Sequence, residues 1–180
     1  MLLVLLYLFI VILGAKAKGC KLSDGRYECL KKFNEIRNKT LTSNLTDDKV
    51  INDLFKSCQK FKACAPAMKC QAESKIVGYI DSMLTICDVI DFRHDPEFIE
   101  CSGKIEARNS KCLREWNPFP DKVEDQAKRK QDQENACKNF FGKYNCMERE
   151  TIEVCGVKLW DAQKKHFLAL NSITKACKFD

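Results

Sequence analysis

Glycine and proline are scarce in this sequence, at seven and four residues in 180, and there are only two histidines, His94 and His166. So few turn-forming residues argue against many short strands joined by tight turns. No segment alternates apolar and polar side chains with a period of two, so no strand is predicted. A Gly-x-Ser-x-Gly elbow and a His-Glu-x-x-His pair are both missing, which removes the commonest hydrolase signatures. Beyond residue 13 no apolar run approaches the roughly 20 residues that span a bilayer. The mean hydropathy of −0.35 excludes a polytopic membrane protein.

Cysteine, by contrast, is abundant. Twelve are present, at positions 20, 29, 58, 64, 70, 87, 101, 112, 137, 146, 155 and 177. Cytosolic proteins keep thiols reduced and use them sparingly, so this count points to an oxidising compartment. The number is even and permits six bridges with no thiol left over as a nucleophile. Zinc would require closely spaced pairs such as Cys-x-x-Cys. The tightest spacing here leaves five residues between cysteines, and neither histidine neighbours one. A disulfide framework is therefore predicted, with no metal site and no cofactor.

The N-terminus agrees with export. Leu2 to Leu13 is unbroken apolar sequence, followed by Gly14-Ala15-Lys16-Ala17. Twelve helical residues rise about 18 Å, short of the ~30 Å hydrocarbon core. The run ends in an Ala-x-Ala cleavage motif, although no basic residue precedes it. Residues 1–17 are read as a signal peptide and 18–180 as a single secreted, cysteine-rich helical domain. The C-terminal residues carry no hydrophobic tail for a lipid anchor and no retention tetrapeptide, so a soluble, extracellular product is expected. Two glycosylation sequons, Asn38-Lys-Thr40 and Asn44-Leu-Thr46, fall in one polar stretch.

Apolar spacing is helical throughout. Tyr27, Leu30, Phe33 and Ile36 follow Ser23-Asp24, a candidate N-cap. Thr46-Asp47-Asp48 opens a helix carrying Val50, Ile51, Leu54, Phe55, Cys58 and Phe61, which Pro66 should end or closely follow. Ile76 to Cys87 forms a third stripe. His94-Asp95-Pro96-Glu97 reads as an N-cap with proline at the first helical position, and that segment should run until Trp116-Asn-Pro-Phe-Pro120 stops it. A polar helix is expected near 123–140, another from Tyr144 to Cys155 with Gly156 as its cap, and a last one along Trp160, Gln163, Phe167 and Leu170. The fold class is all-α: a disulfide-stapled bundle of about six to eight helices.

Facing residues in an antiparallel hairpin have a constant index sum. With a turn near residue 42 this pairs Cys29–Cys58 and Cys20–Cys64, and further on Cys112–Cys137 and Cys101–Cys146. Cys70–Cys87 and Cys155–Cys177 complete the set. The gaps between cysteines also recur: 8, 28, 5, 5 and 16 residues from Cys20, then 10, 24, 8, 8 and 21 from Cys101. Cys29-Leu-Lys-Lys-Phe-Asn34 resembles Cys112-Leu-Arg-Glu-Trp-Asn117, and Ser57-Cys-Gln-Lys-Phe61 resembles Ala136-Cys-Lys-Asn-Phe140. Two duplicated halves, divided near 90–96, would produce this pattern.

Several landmarks recur together: Phe92, Phe98-x-x-Cys101, Lys111-Cys112, Trp116-Asn-Pro-Phe119, Cys137-x-x-Phe140, Asn145-Cys146, Ile152-x-x-Cys155-Gly156, Trp160 and Phe167. In these the chain resembles the nematode-expanded family of secreted, cysteine-rich proteins catalogued as domain of unknown function 19. The resemblance implies an extracellular disulfide-rich domain and carries over no catalytic residues.

For function, His94-Asp95 resembles the pair used by secreted calcium-dependent phospholipases, but the glycine-rich calcium loop and the cysteines flanking the histidine are missing. No catalytic residue is assigned and no enzyme is expected. Lys128-Arg129-Lys130 lies in a stretch where acidic residues match the basic ones, so a solvated helix face is expected and no nucleic-acid site. What is left is a protein–protein interaction module with an extracellular partner. The alternative is a carrier of a small apolar ligand such as a lipid, although the saposin and insect odorant-carrier cysteine patterns are not matched.

Overall fold

The computed structural model describes residues 25–43, 47–120 and 123–179, and every regular element among them is helical. The first half is α1 (Gly25–Thr42), α2 (Asp48–Lys69) and α3 (Ser74–Arg93). The second is α4 (Pro96–Arg108), α5 (Lys111–Glu115), α6 (Gln126–Lys138), a 3-10 turn at Lys143–Asn145, α7 (Cys146–Cys155) and α8 (Val157–Thr174). α2 packs against both α1 and α3, and α8 lies along α3.

The helix starts follow from local chemistry. Asp47 caps α2 by accepting from Lys49 N at 2.8 Å, and Asp95 caps α4 by accepting from Glu97 N at 2.8 Å, with Pro96 at the first helical position. The expected cap at Ser23-Asp24 lies outside the described residues. Pro66 does not end α2, which continues to Lys69. Proline removes the N–H that would bond to Lys62 O and its ring crowds that carbonyl, and so close to the helix end both effects fall near the last turn.

The segment expected to run unbroken to Trp116 is two helices. Asn109 takes a left-handed conformation and Ser110 caps α5 by accepting from Leu113 N. Asparagine tolerates that backbone better than most residues, and serine is a strong cap.

In the first half Ile36, Leu54, Cys58, Phe61, Ile80 and Cys87 are almost wholly buried, and Phe33 meets Phe61 edge-on at 5.9 Å. The stripe expected on α1 is only partly realised, since Ile36 is buried but Tyr27 is 74% exposed. A strict period of three falls about 60° behind the helix at every step. Nine residues on from Tyr27, Ile36 therefore faces the opposite side.

α1 is also tied to α2 by polar contacts. Ser57 donates to Glu35 Oε1 at 2.7 Å, while Lys32 lies 2.7 Å and Lys39 3.3 Å from the same carboxylate. These donors, Lys32 first and then Ser57, pull the Glu35 carboxyl down to about 2.

In the second half the buried set is smaller: Cys101, Ile105 and Met147, flanked by Leu113, Trp116, Val154 and Leu159. An aromatic group extends it, with Phe140 in contact with Phe119, Phe141, Phe167 and Phe179. Trp116 Nε1 donates to Phe140 O at 2.9 Å, and Trp160 Nε1 to Glu148 Oε1 at 3.1 Å. Buried Asn171 clasps the C-terminal stretch, donating to Cys177 O and accepting from Cys177 N.

The bridges are Cys29–Cys64, Cys58–Cys87, Cys101–Cys155, Cys112–Cys146 and Cys137–Cys177. Cys70 is also disulfide-bonded, and no described cysteine is free. The pairing expected from the sequence is therefore corrected throughout. Cys29–Cys58 and Cys20–Cys64 give way to Cys29–Cys64, Cys70–Cys87 to Cys58–Cys87, and Cys155–Cys177 to Cys137–Cys177. Cys112–Cys137 and Cys101–Cys146 give way to Cys112–Cys146 and Cys101–Cys155. Cys20 itself lies outside the described residues.

The physical reason in the first half is the turn. The helices it joins end at Thr42 and begin at Asp48, which puts their midpoint about three positions beyond 42, and a hairpin's facing residue moves two positions for each position its midpoint moves. Three positions of shift carry the partner of Cys29 from Cys58 to Cys64. In the second half α6 buries only Ala136, so it cannot serve as a hairpin partner, and α4 and α5 pack on α7 instead.

The corrected pairs repeat between the halves. Under the gap correspondence, Cys29–Cys64 matches Cys112–Cys146 and Cys58–Cys87 matches Cys137–Cys177. The same register makes Cys70 the counterpart of Cys155 and Cys20 the counterpart of Cys101. Proteolysis of the unreduced protein with mass spectrometry is expected to yield a Cys20–Cys70 linked peptide; any other partner for Cys70 would break the repeat.

A second prediction concerns Glu35, whose stabilising contribution is complete above its unfolded value near 4.5 and is lost as pH falls through about 2. Glu35→Gln is expected to cost about 1–2 kcal/mol at neutral pH after allowance for solvent screening. It should also flatten the stability profile between about pH 5 and 2, measured by denaturant unfolding with the bridges intact.

Candidate functional site

The two halves meet along α3 and α8, and a cleft of about 490 Å³ opens there. It is walled by Thr85, Asp88, Asp91 and Phe92 of α3, by Asp95, and by Lys165, His166 and Ala169 of α8. Its acidic side is organised by one cation. Lys62 of α2 lies 2.5 Å from Asp88 Oδ1 and 2.6 Å from Asp91 Oδ2, while Gln59 donates to the other Asp91 oxygen at 3.0 Å. Burial works against the Lys62 ammonium, but the two carboxylates outweigh it and hold its pKa above the usual lysine value.

Both histidines flank the junction between α3 and α4. The His94 ring stacks on Phe55 at 4.0 Å with an interplanar angle of 7°. Its Nε2 lies 2.8 Å from Asn52 Oδ1. His166 stacks on Phe92 at 4.5 Å, and Phe92 in turn meets Phe98 at 4.5 Å. α2 and α8 thus grip the junction from two sides through ring contacts. None of the five described bridges crosses it.

The Domain of unknown function (DUF19) family matches residues 20–178. The chain belongs to the DUF19 family. Among the curated relatives, UPF0376 protein F10G2.1 of Caenorhabditis elegans is 31% identical over 170 residues, 91% of this chain and 84% of that protein. Excretory canal abnormal exc-13 of the same animal is 30% identical over 174 residues, covering 92% and 85%. UPF0376 protein C36C5.12 is 26% identical over 160 residues, covering 84% and 71%. No solved structure matches the chain.

Within this DUF19 chain, the residues singled out from sequence fall in separate places. His94 and Asp95 do not act on one another: the histidine is held by Phe55 and Asn52, and the Asp95 carboxylate caps α4. Lys128 and Lys130 pair with Asp132 and Glu134 one turn on, and Arg129 donates to Val123 O, as expected of a solvated face. Asn38 is exposed on α1, whereas Asn44 lies outside the described residues. No group of three His, Cys, Asp or Glu side chains suited to a metal ion occurs among the described residues. No helix among them is long and apolar enough to cross a membrane.

The Lys62 clamp and the His166–Phe92 stack were not found from sequence. Asp88 and Asp91 are spaced three apart on an apolar helix, which hints at a shared partner, but nothing in one dimension ties them to Lys62.

The cleft predicts a pH effect. Burial, then the nearby positive charges of Lys165 and Lys62, push His166 below the ordinary histidine value of 6.5, against the opposing pull of Asp88. A histidine with a depressed folded pKa stabilises when neutral, and that contribution is lost as pH falls from 6.5 through the folded value. The native protein is expected to lose stability on going from about pH 6.5 to 5. His166→Phe, which keeps a ring against Phe92, should lose less over the same interval. Equal losses by denaturant unfolding would show that His166 plays no part.

Proposed function

We propose that the protein is a secreted, non-enzymatic interaction module whose partner is another extracellular protein. In this reading residues 1–17 are a signal peptide removed on export, and Asn38 can carry a glycan. The bridges support an oxidising destination. The observation that carries the binding reading is the end of the first half where α1 begins, α2 ends and α3 begins. Tyr27 and Leu30 on α1, and Ile76 and Tyr79 on α3, stand exposed there. The same half is well filled inside, with Ile36, Leu54 and Phe61 completely buried. Tyrosines in water at a rigid, bridged helix end are frequent anchors of protein interfaces, and the aliphatic neighbours add apolar area around them. The bridges reduce the ordering cost on binding. The cleft between α3 and α8 is lined mostly by charged and polar residues, which suits a carrier of apolar ligands poorly.

The test uses oxidised chain beginning at residue 18, immobilised and exposed to nematode body fluid. A protein retained by the native chain should be lost with Tyr27→Ser/Tyr79→Ser, a double variant of unchanged circular dichroism. A stoichiometric lipid in native mass spectra of the secreted protein would overturn this reading in favour of the carrier.

A further inference from the structure

The repeated halves differ in how one helix continues between its cysteines. α2 runs unbroken through Cys58 and Cys64, which have five residues between them, whereas eight separate Cys137 from Cys146. The three extra residues break the corresponding helix into α6 and α7. The connection passes through Gly142 at φ 79° and then two non-glycine residues in the left-handed region, Tyr144 and Asn145, both at φ 56°. Glycine is required at 142, because a Cβ there would lie 2.6 Å from Cys146 Sγ and 3.1 Å from Cys112 Sγ. Two consecutive left-handed non-glycine residues carry a backbone cost, where the described residues of the first half have the single one at Gln71, and such outliers gather at functional sites.

This turn presents Tyr144, which is 81% exposed, with Lys143 Nζ 5.5 Å from its ring centroid. The neighbouring residues Lys143 and Cys146 line a cleft of about 610 Å³. Glu115, Asn117, Asp132, Asn135 and Asn139 supply its polar wall, over a floor that includes Ala136 and the Cys112–Cys146 bridge. The charges are largely matched: Asp132 pairs with Lys128, and Glu115 with Lys111. Three amides remain. Asn139 Nδ2 donates to Asn135 O and Asn135 Oδ1, at 3.0 and 2.9 Å. That leaves Asn139 Oδ1 and Asn135 Nδ2 without a protein partner among the described residues.

We propose that this cleft binds a neutral oligosaccharide, with Tyr144 as the platform for a sugar ring and Asn117, Asn135 and Asn139 as partners for its hydroxyls. An amide offers a donor and an acceptor in one plane, which matches a pair of vicinal hydroxyls. An exposed aromatic face suits the apolar C–H face of a pyranose. Near-neutral lining favours a polyhydroxylated ligand over a phosphate or a strongly charged peptide. The site shares no residue with the Tyr27–Tyr79 surface, so either can fail without the other.

The experiment is saturation-transfer NMR and titration calorimetry of the oxidised chain with cellotetraose, maltotetraose, mannotetraose and N-acetylchitotetraose. At least one is expected to bind with a dissociation constant of about 1 mM or tighter. Tyr144→Asn retains a residue that tolerates left-handed backbone and should weaken that binding about tenfold or more. Asn139→Ala should weaken it as well, while Tyr27→Ser/Tyr79→Ser should leave it unchanged. Failure of all four sugars to bind at about 10 mM would overturn the proposal. So would unchanged affinity in Tyr144→Asn, or binding of a neutral peptide at this cleft in place of a sugar.

Discussion

A disulfide can form only where two Cα atoms come within about 4.4–6.8 Å, so each bridge sets the axial register of the helices it joins. In this protein the Cα separations run from 5.2 to 5.9 Å, and the bridged pairs are those that pack. Cys29–Cys64 sets α1 on α2, Cys58–Cys87 sets α2 on α3, and Cys101–Cys155 sets α4 on α7. The remaining contacts depend on these registers. Glu35 reaches Ser57, and Lys62 reaches Asp88 and Asp91, only when the helices are aligned as the bridges hold them. Reliance on covalent ties is greatest in the second half, where three residues make up the buried cluster and one helix, α6, buries a single alanine.

The helical class and most helix starts were legible in the sequence because they depend on local signals: Asp47 and Asp95 as caps, Pro96 at a first position, Gly156 as a terminator. The pairing was less legible because it depends on where a turn falls. The principle of a constant sum holds for Cys29–Cys64, but an error of three residues in the turn is doubled at the partner. Tyr27 shows the same sensitivity to small angles. One step of three residues keeps a side chain near its face, and three such steps take it to the other side. The junction was hidden for a different reason. Lys62, Phe92 and His166 lie on three helices, and their meeting follows from packing that no single segment encodes.

The two halves share two matching bridges and differ in what these support. In the first they clamp three long helices around a filled aliphatic and aromatic core, leaving tyrosines at one end. In the second, the added residues between Cys137 and Cys146 interrupt the helix that would correspond to α2. The aromatic cluster around Phe140 and the strained turn at Tyr144 occupy the interruption. An insertion that costs backbone energy yet leaves the flanking bridges intact is tolerable because those bridges anchor both sides of it, at Cys112–Cys146 and Cys137–Cys177.

Between the halves the forces change in kind. No described bridge crosses from α3 to α8. The joint consists of ring contacts at Phe92, His166 and Phe98, with the Lys62 clamp beside them and His94 anchored to α2. Reduction and acid should therefore act on different parts of the molecule. A reductant attacks the register within each half, where Cys58, Cys87 and Cys29 are buried and slow to be reached. Protons act first on a half-buried imidazole at the joint. A protein built this way can loosen between its halves while each half stays covalently closed, and this separation of covalent from titratable contacts follows from the cysteine placement itself.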